Sequence, residues 1–274
     1  MKIVTLAENT ALSPELVSEH GLSLYVETPK HKLLFDVGAS PAFVANARKL
    51  NVDLTAVDLA IISHGHNDHG GGLKAFMEIN PAAKIYVHPK AFIKHYASRP
   101  DGKVVEIGLD EELQKDERIV LTGDRFVIDE ELELIGNVQG DLFIPSGNRV
   151  LLMARNGQLV EDDFAHEQNL IIKTAAKTYL IAGCAHRGII NIINHIKPLL
   201  DRPIDCIIGG YHLYNKAADS NEDPEIVRQI AEYLRELGAT CYTCHCTGLE
   251  PYKQLRAVLG EKMQYLATGS VLVI

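Results

Sequence analysis

This chain of 274 residues is short of three things: long apolar runs, an even set of cysteines, and positive charge. No apolar run approaches the roughly 20 residues that span a bilayer. The 46% hydrophobic content is spread over short segments, enough for a sizeable core. The opening Met1-Lys2-Ile3-Val4-Thr5-Leu6 reads as a strand and has neither the apolar core nor the cleavage site of an export signal, so residence in the cytoplasm is expected. Five cysteines, an odd number, do not suggest a disulfide framework there. Lys and Arg number 27 against 36 Asp and Glu, a net charge of −9. That balance argues against a nucleic-acid binder, although a local basic patch stays open. Low-complexity stretches and flexible linkers are also missing, so residues 1–274 are expected to form a single domain.

Three of the cysteines crowd into Cys241-Tyr-Thr-Cys244-His245-Cys246. Cys-x-x-Cys-His is a haem-attachment pattern, but that chemistry needs export. A thioredoxin-like pair would sit at a helix start in a leading βαβ unit, and this one ends a strand late in the chain. The reading left is that Cys241 and Cys244 are small core residues of the strand that delivers His245.

Residues 58–72 read Asp-Leu-Ala-Ile-Ile-Ser-His-Gly-His-Asn-Asp-His-Gly-Gly-Gly. An apolar strand runs directly into His64, His66, Asp68 and His69. Side chains two apart in extended backbone point the same way, so His64 and His66 can grip one cation. Asp68 and His69 lie past the turn and can face a second. Imidazole suits zinc, iron, manganese or nickel, and a mixed nitrogen and oxygen shell suits a hydrolytic metal. Two ions roughly 3.5–4 Å apart can share and acidify a water or clamp two phosphoryl oxygens. The glycines let the backbone turn sharply into a helix over 72–79.

His-x-His-x-Asp-His after a strand resembles the metallo-β-lactamase superfamily. The resemblance implies an α/β fold, a four-layer αββα sandwich of two mixed sheets with two metals at one edge. It extends to Glu19-His20-Gly21-Leu22-Ser23, Gly183-Cys184-Ala185-His186-Arg187-Gly188, Gly209-Gly210-Tyr211-His212-Leu213 and His245-Cys246-Thr247-Gly248. These segments look like the branch named for an archaeal dihydropterin–ribofuranosylaminobenzene phosphate synthase, many members of which carry only a generic hydrolase name.

Strands are expected at Ile3–Leu6, Leu22–Glu27, Lys32–Asp36, Leu59–Ser63 and 84–88, with a hairpin turn at Thr28-Pro29-Lys30-His31. Ser40-Pro41 should open a helix to about Leu50, and another should begin near Lys90. From about 97 to 165 helix signals thin out, and short strands are expected at Arg118–Thr122, Leu132–Gly136 and Gln139–Phe143. This stretch reads as an insertion that shapes the substrate pocket. The second half returns to strands at Leu170–Lys173, Thr178–Ala182, Ile204–Ile208, Thr240–Thr243 and Val271–Ile274, with helices at 188–200, Pro224–Leu237 and 249–259.

Within the resemblance, the first metal takes His64, His66 and His186. The second takes Asp68, His69 and His245, with a bridging water. Two divalent ions are expected, zinc first, with manganese or iron as alternatives. The superfamily carries a bridging Asp, or in some lactamases a Cys, after the Gly at the strand end preceding His186. Gly183-Cys184 stands there, so Cys184 is a ligand, a neighbour of one, or a spacer, and the metal's identity stays open. His212 is the alternative to His245 as a ligand, or a general acid above the metals. His166 precedes a strand where many members carry a metal histidine. His20 and Thr247 are expected beside the pocket or behind the ligands, and Asp36 behind the motif loop, orienting a ligand. His31, His88, His95 and His195 carry no pattern.

The expected function is a dinuclear metal-dependent hydrolase of an anionic, phosphorylated small molecule. In that reading a metal-bound hydroxide attacks, with Asp68 and His212 handling protons. The alternatives are transfer of a pterin from its diphosphate to an aminobenzene nitrogen, as the branch name implies, or metal binding without catalysis. No nucleic-acid or membrane partner is expected, and the oligomeric state is not legible.

Overall fold

Lys32–Phe35 and Leu59–Ile62 are almost wholly apolar, the composition of strands buried on both faces. In the computed structural model, which describes all 274 residues, they pair in parallel with Phe35 opposite Ile61. They sit in a seven-stranded mixed sheet ordered Val271–Val273, Lys2–Ala7, Ser23–Glu27, Lys32–Phe35, Leu59–Ile62, Lys84–Val87 and Ile119–Leu121. The pairs from Val271–Val273 through Lys32–Phe35 are antiparallel, and those from Lys32–Phe35 onward are parallel. Parallel neighbours all finish at one sheet edge, where their loops begin side by side. Asp36, Ser63 with His64, and His88 therefore start from the same edge.

That sheet belongs to one of two compact units into which the chain divides: Met1–His95 with Ile107–Gly123 and Leu266–Ile274, and Tyr96–Glu106 with Asp124–Tyr265. The second unit holds its own seven-stranded mixed sheet, ordered Met263–Tyr265, Thr240–Thr243, Cys206–Gly209, Thr178–Ala182, Gln168–Lys173, Leu132–Gly136 and Arg125–Val127. The first four of these run parallel, and Ala182, Gly209 and Thr243 lie in register. The turns bearing Cys184 and His186, His212, and His245 thus leave neighbouring strands at one edge.

Each unit has its own apolar cluster. Val4, Leu34, Phe43, Ile62, Leu73 and Phe76 lie in the first, and Ile135, Leu180, Ile193, Ile207, Ile230 and Leu234 in the second. The helix Pro224–Leu237 shows how sequence sets an element. Asp223 accepts from the Glu225 amide, Pro224 takes the first position, and Gly238 ends it at φ 79°. Its buried face is Val227, Ile230, Ala231 and Leu234. No helix is long and apolar enough to cross a membrane.

Three expected elements differ. No α-helix forms near Lys90: Pro89–Phe92 makes one 3-10 turn, and His95–Ser98 then joins a four-stranded sheet with Val104–Glu106, Leu151–Arg155 and Gln158–Glu161. Gln139–Phe143 is not a strand, because Asn137, Gly140 and Phe143 take positive φ and break the extended run. The helix expected over 188–200 stops at Ile196, and a 3-10 turn over Lys197–Leu199 holds Pro198, which has no amide to continue the ladder.

Candidate functional site

In the first unit the site is built on Asp36, which ends its strand at φ 60°. A carboxylate only accepts hydrogen bonds. Oδ1 takes the Ser63 amide at 2.7 Å, and Oδ2 takes the Ser63 hydroxyl at 2.8 Å and His69 Nδ1 at 2.6 Å. Ser63 has one proton and gives it to Asp36, so its 2.8 Å contact with His64 Nδ1 requires the ring to donate. His64 and His69 therefore carry their protons on Nδ1 and present Nε2 as the lone-pair atom, the form a metal ligand needs. Asp36, Ser63, His64 and His69 are all 0% exposed.

The His64 ring lies 4.6 Å from His66 and 4.1 Å from His69, centroid to centroid. Asp68 places Oδ2 3.7 Å from His69 Nε2 and 3.4 Å from His20 Nε2, with 18% of its side chain exposed. Asp68 and His20 are thus the solvent-facing members of a buried histidine group. The glycines after the motif act differently from their expected role. Gly71 has an ordinary helical φ of −63°, and a Cβ at Gly71 or Gly72 would strike Ala39 O or Val37 O at 2.3 and 2.2 Å. They are there for close backbone approach rather than for a sharp turn.

His95, which no sequence pattern marks, belongs to the same group. It is 0% exposed, its ring lies 5.6 Å from His66, and a Cβ on Gly65 would meet its Nε2 at 2.7 Å. It arrives from the start of a strand whose composition gives no metal signal. His88 caps the next turn by accepting the Lys90 amide at 3.3 Å.

In the second unit His186 is held on every side. Glu167 accepts its backbone amide at 2.6 Å and that of Arg187 at 3.1 Å. Burial pushes the Glu167 carboxyl up to about 7, against those two amides and the Arg187 charge. Phe164 stacks on the His186 ring at 4.5 Å and 7°, and His212 leans on it at 4.2 Å. Asn148 bonds both its ring and its carbonyl. His212 sits at φ 49°, and its Nδ1 is buried without a hydrogen-bond partner. Metal-competent atoms of Cys184, His186 and His212 lie within 4.8 Å of one another, as do those of Cys184, His245 and Cys246.

His245 is 0% exposed at φ 50°, and the turn carrying it is tied to the turn carrying His212. Thr247 Oγ1 accepts the Tyr211 amide at 2.9 Å and meets Thr243 Oγ1 at 2.5 Å, while Thr243 donates to Gly209 O at 3.0 Å. Thr247 is itself 0% exposed. Cys246 Sγ accepts the His212 amide at 3.3 Å and donates to Cys184 O at 3.6 Å. Gly210 leaves room for that sulfur, since a Cβ there would lie 2.4 Å from it. Close approach at Gly210 is thus to the protein's own cysteine. All five cysteines are buried thiols, and burial pushes Cys241 up to about 12. His166 pairs with Asp162 at 3.2 Å in a fully buried contact.

The metallo-beta-lactamase superfamily matches residues 19–148. The chain is 29% identical over 99% of its length to the 7,8-dihydropterin-6-methyl-4-(beta-D-ribofuranosyl)-aminobenzene-5'-phosphate synthase of Methanocaldococcus jannaschii, covering 96% of that protein. The crystal structure of a metal-dependent hydrolase of the beta-lactamase superfamily superposes with a TM-score of 0.83 at 29% identity, over 100% of this chain and 99% of the other. The chain is thus similar to the metallo-beta-lactamase superfamily in sequence over residues 19–148 and in fold along its whole length. Its fold is that superfamily's fold. An uncharacterized protein of the same archaeon is 28% identical over 92% of this chain and 93% of its own length. Buried imidazoles with a carboxylate in the first unit, and buried imidazoles with thiols in the second, are donor sets that fit the divalent metals typical of the superfamily.

Proposed function

We propose that this protein is a dinuclear metal-dependent hydrolase of an anionic, phosphorylated small molecule. His64, His66 and His186 would hold one ion, and Asp68, His69 and His245 the other. The observation that carries the reading is the Asp36–Ser63 relay. A fully buried carboxylate and hydroxyl have no packing role that apolar groups could not fill, yet together they set the tautomer of two adjacent histidines. Divalent ions at such a site, zinc first, supply Lewis acidity and a nucleophilic water at neutral pH. Asp68, the partly exposed carboxylate beside His69 and His20, accepts a proton from the incoming nucleophile. His212 returns one to the leaving group. Cys184 keeps its sulfur within reach of the His186 and His212 donors. The stretch 97–165 helps to shape the pocket, a role supported by Asn148 and Phe164, which already surround His186. We place the protein in the cytoplasm with a small anionic substrate and no nucleic-acid partner, in keeping with its net charge of −9.

A second reading rests on the full-length similarity to the archaeal synthase. In it the same residues bind a diphosphate leaving group while an aminobenzene nitrogen displaces it from a pterin methyl carbon. Elemental analysis of wild type beside Asp68→Ala and His186→Ala tests what both readings share. About two ions per chain are expected, with fewer in each variant. A wild type that holds no metal after reconstitution with zinc, manganese or iron overturns both. Turnover of phosphoesters without any pterin selects hydrolysis, and strict dependence on a pterin diphosphate selects transfer.

A further inference from the structure

Asn148 lies in the short 3-10 turn Ser146–Val150, in a stretch without any metal-like pattern. Its amide makes two hydrogen bonds to one residue. Nδ2 donates to the His186 carbonyl at 2.8 Å, and Oδ1 faces His186 Nδ1 at 2.9 Å. The orientation of this amide follows from chemistry. A carbonyl oxygen only accepts, so the nitrogen of Asn148 must face it and the oxygen must face the ring. A ring nitrogen facing an amide oxygen must donate. His186 is therefore protonated on Nδ1, and Nε2 is its lone-pair atom.

The turn that carries Asn148 is itself fixed. Glu222 accepts the Ser146 amide at 2.7 Å, and a Cβ on Gly147 would sit 3.1 Å from His212 Nε2. With Phe164 stacked on the face of the ring, His186 keeps neither rotational nor tautomeric freedom. We propose that Asn148 is a positioning residue that sets the His186 tautomer for metal binding, the neutral counterpart of the Asp36 relay. The inference rests on His186 being a metal ligand, as the proposed function has it.

The test uses Asn148→Leu, Asn148→Ala and Asn148→Asp in the full chain. The first readout is the ¹⁵N shifts of the His186 ring in metal-free protein, which report its tautomer without any ion. The second is zinc affinity by chelator competition. Wild type should be protonated on Nδ1. Asn148→Leu and Asn148→Ala should mix the tautomers and bind zinc about 10- to 100-fold more weakly. Asn148→Asp keeps the acceptor for Nδ1 but loses the donor to the carbonyl. It should therefore keep the tautomer and stay within a few-fold of wild-type zinc affinity while melting lower. A structural role alone would make zinc affinity follow the melting temperature, with Asn148→Asp losing as much affinity as the apolar variants, and that result overturns the proposal. So does a wild-type ring protonated on Nε2. A wild type with the expected tautomer that takes up none of zinc, manganese and iron overturns instead the reading of His186 as a ligand.

Discussion

His64 and His69 in the first unit and His186 in the second are held by different chemistry. In the first, His64 and His69 hang on a charged carboxylate, Asp36, one directly and one through the Ser63 hydroxyl. In the second, His186 meets a neutral amide, while the buried carboxylate, Glu167, is engaged by backbone N–H groups of the same turn. A carboxylate partner makes an imidazole a stronger base and a better metal ligand, whereas an amide orients it without that gain. Asp36 therefore tunes His64 and His69 electronically, whereas His186 is fixed by shape, with Phe164 and Asn148 on the ring and Glu167 under the turn.

The comparison breaks first at Asp36. In Asp36→Ala the Ser63 hydroxyl and His69 Nδ1 lose their acceptor in a fully buried place, and we expect a loss of about 3–5 kcal/mol with much weaker metal binding. Urea unfolding of the metal-free protein checks the first part. A loss no greater than that of Asn148→Leu would erase the distinction between the two units. Glu167→Ala should come next, at about 2–3 kcal/mol, because one buried and one part-buried amide are left unmet. The same titration reads it, and the His186 tautomer should survive, since Asn148 sets it. Thr247→Val is expected to cost least, about 1 kcal/mol, by unlinking the His245 turn from the Tyr211 amide. Its sharper signature is faster hydrogen exchange at the Tyr211 amide. An unchanged rate there would mean that the two turns hold their positions independently.

Much of the first unit's site was legible because it is local. His64, His66, Asp68 and His69 come from one strand end and one turn, and the apolar run before them identifies the strand. Asp36 was expected behind the motif because the resemblance implies an Asp there, at the end of an apolar strand. His95 was not legible, since nothing in its spacing says that its strand starts beside His66. Nor was Asn148, a residue type common in turns whose neighbours Pro145, Ser146 and Gly147 read as an ordinary loop. Thr247 and Glu167 lie in or near readable motifs, but their hydrogen-bond partners depend on which strands pair.

By itself, then, the sequence determined the resemblance to the metallo-β-lactamase superfamily, the alternation of strands and helices, the motif residues and the absence of any membrane-spanning run. Those properties depend on side-chain type and on spacing along the chain, which the linear order states outright. Only the tertiary structure decided which nitrogen of His64, His69 and His186 carries the proton, that Gly71 and Gly72 serve close packing, and that Asn148 and His95 stand beside metal-competent histidines. Each of these depends on which partner faces which atom, and that is set by sheet register and packing rather than by position in the chain.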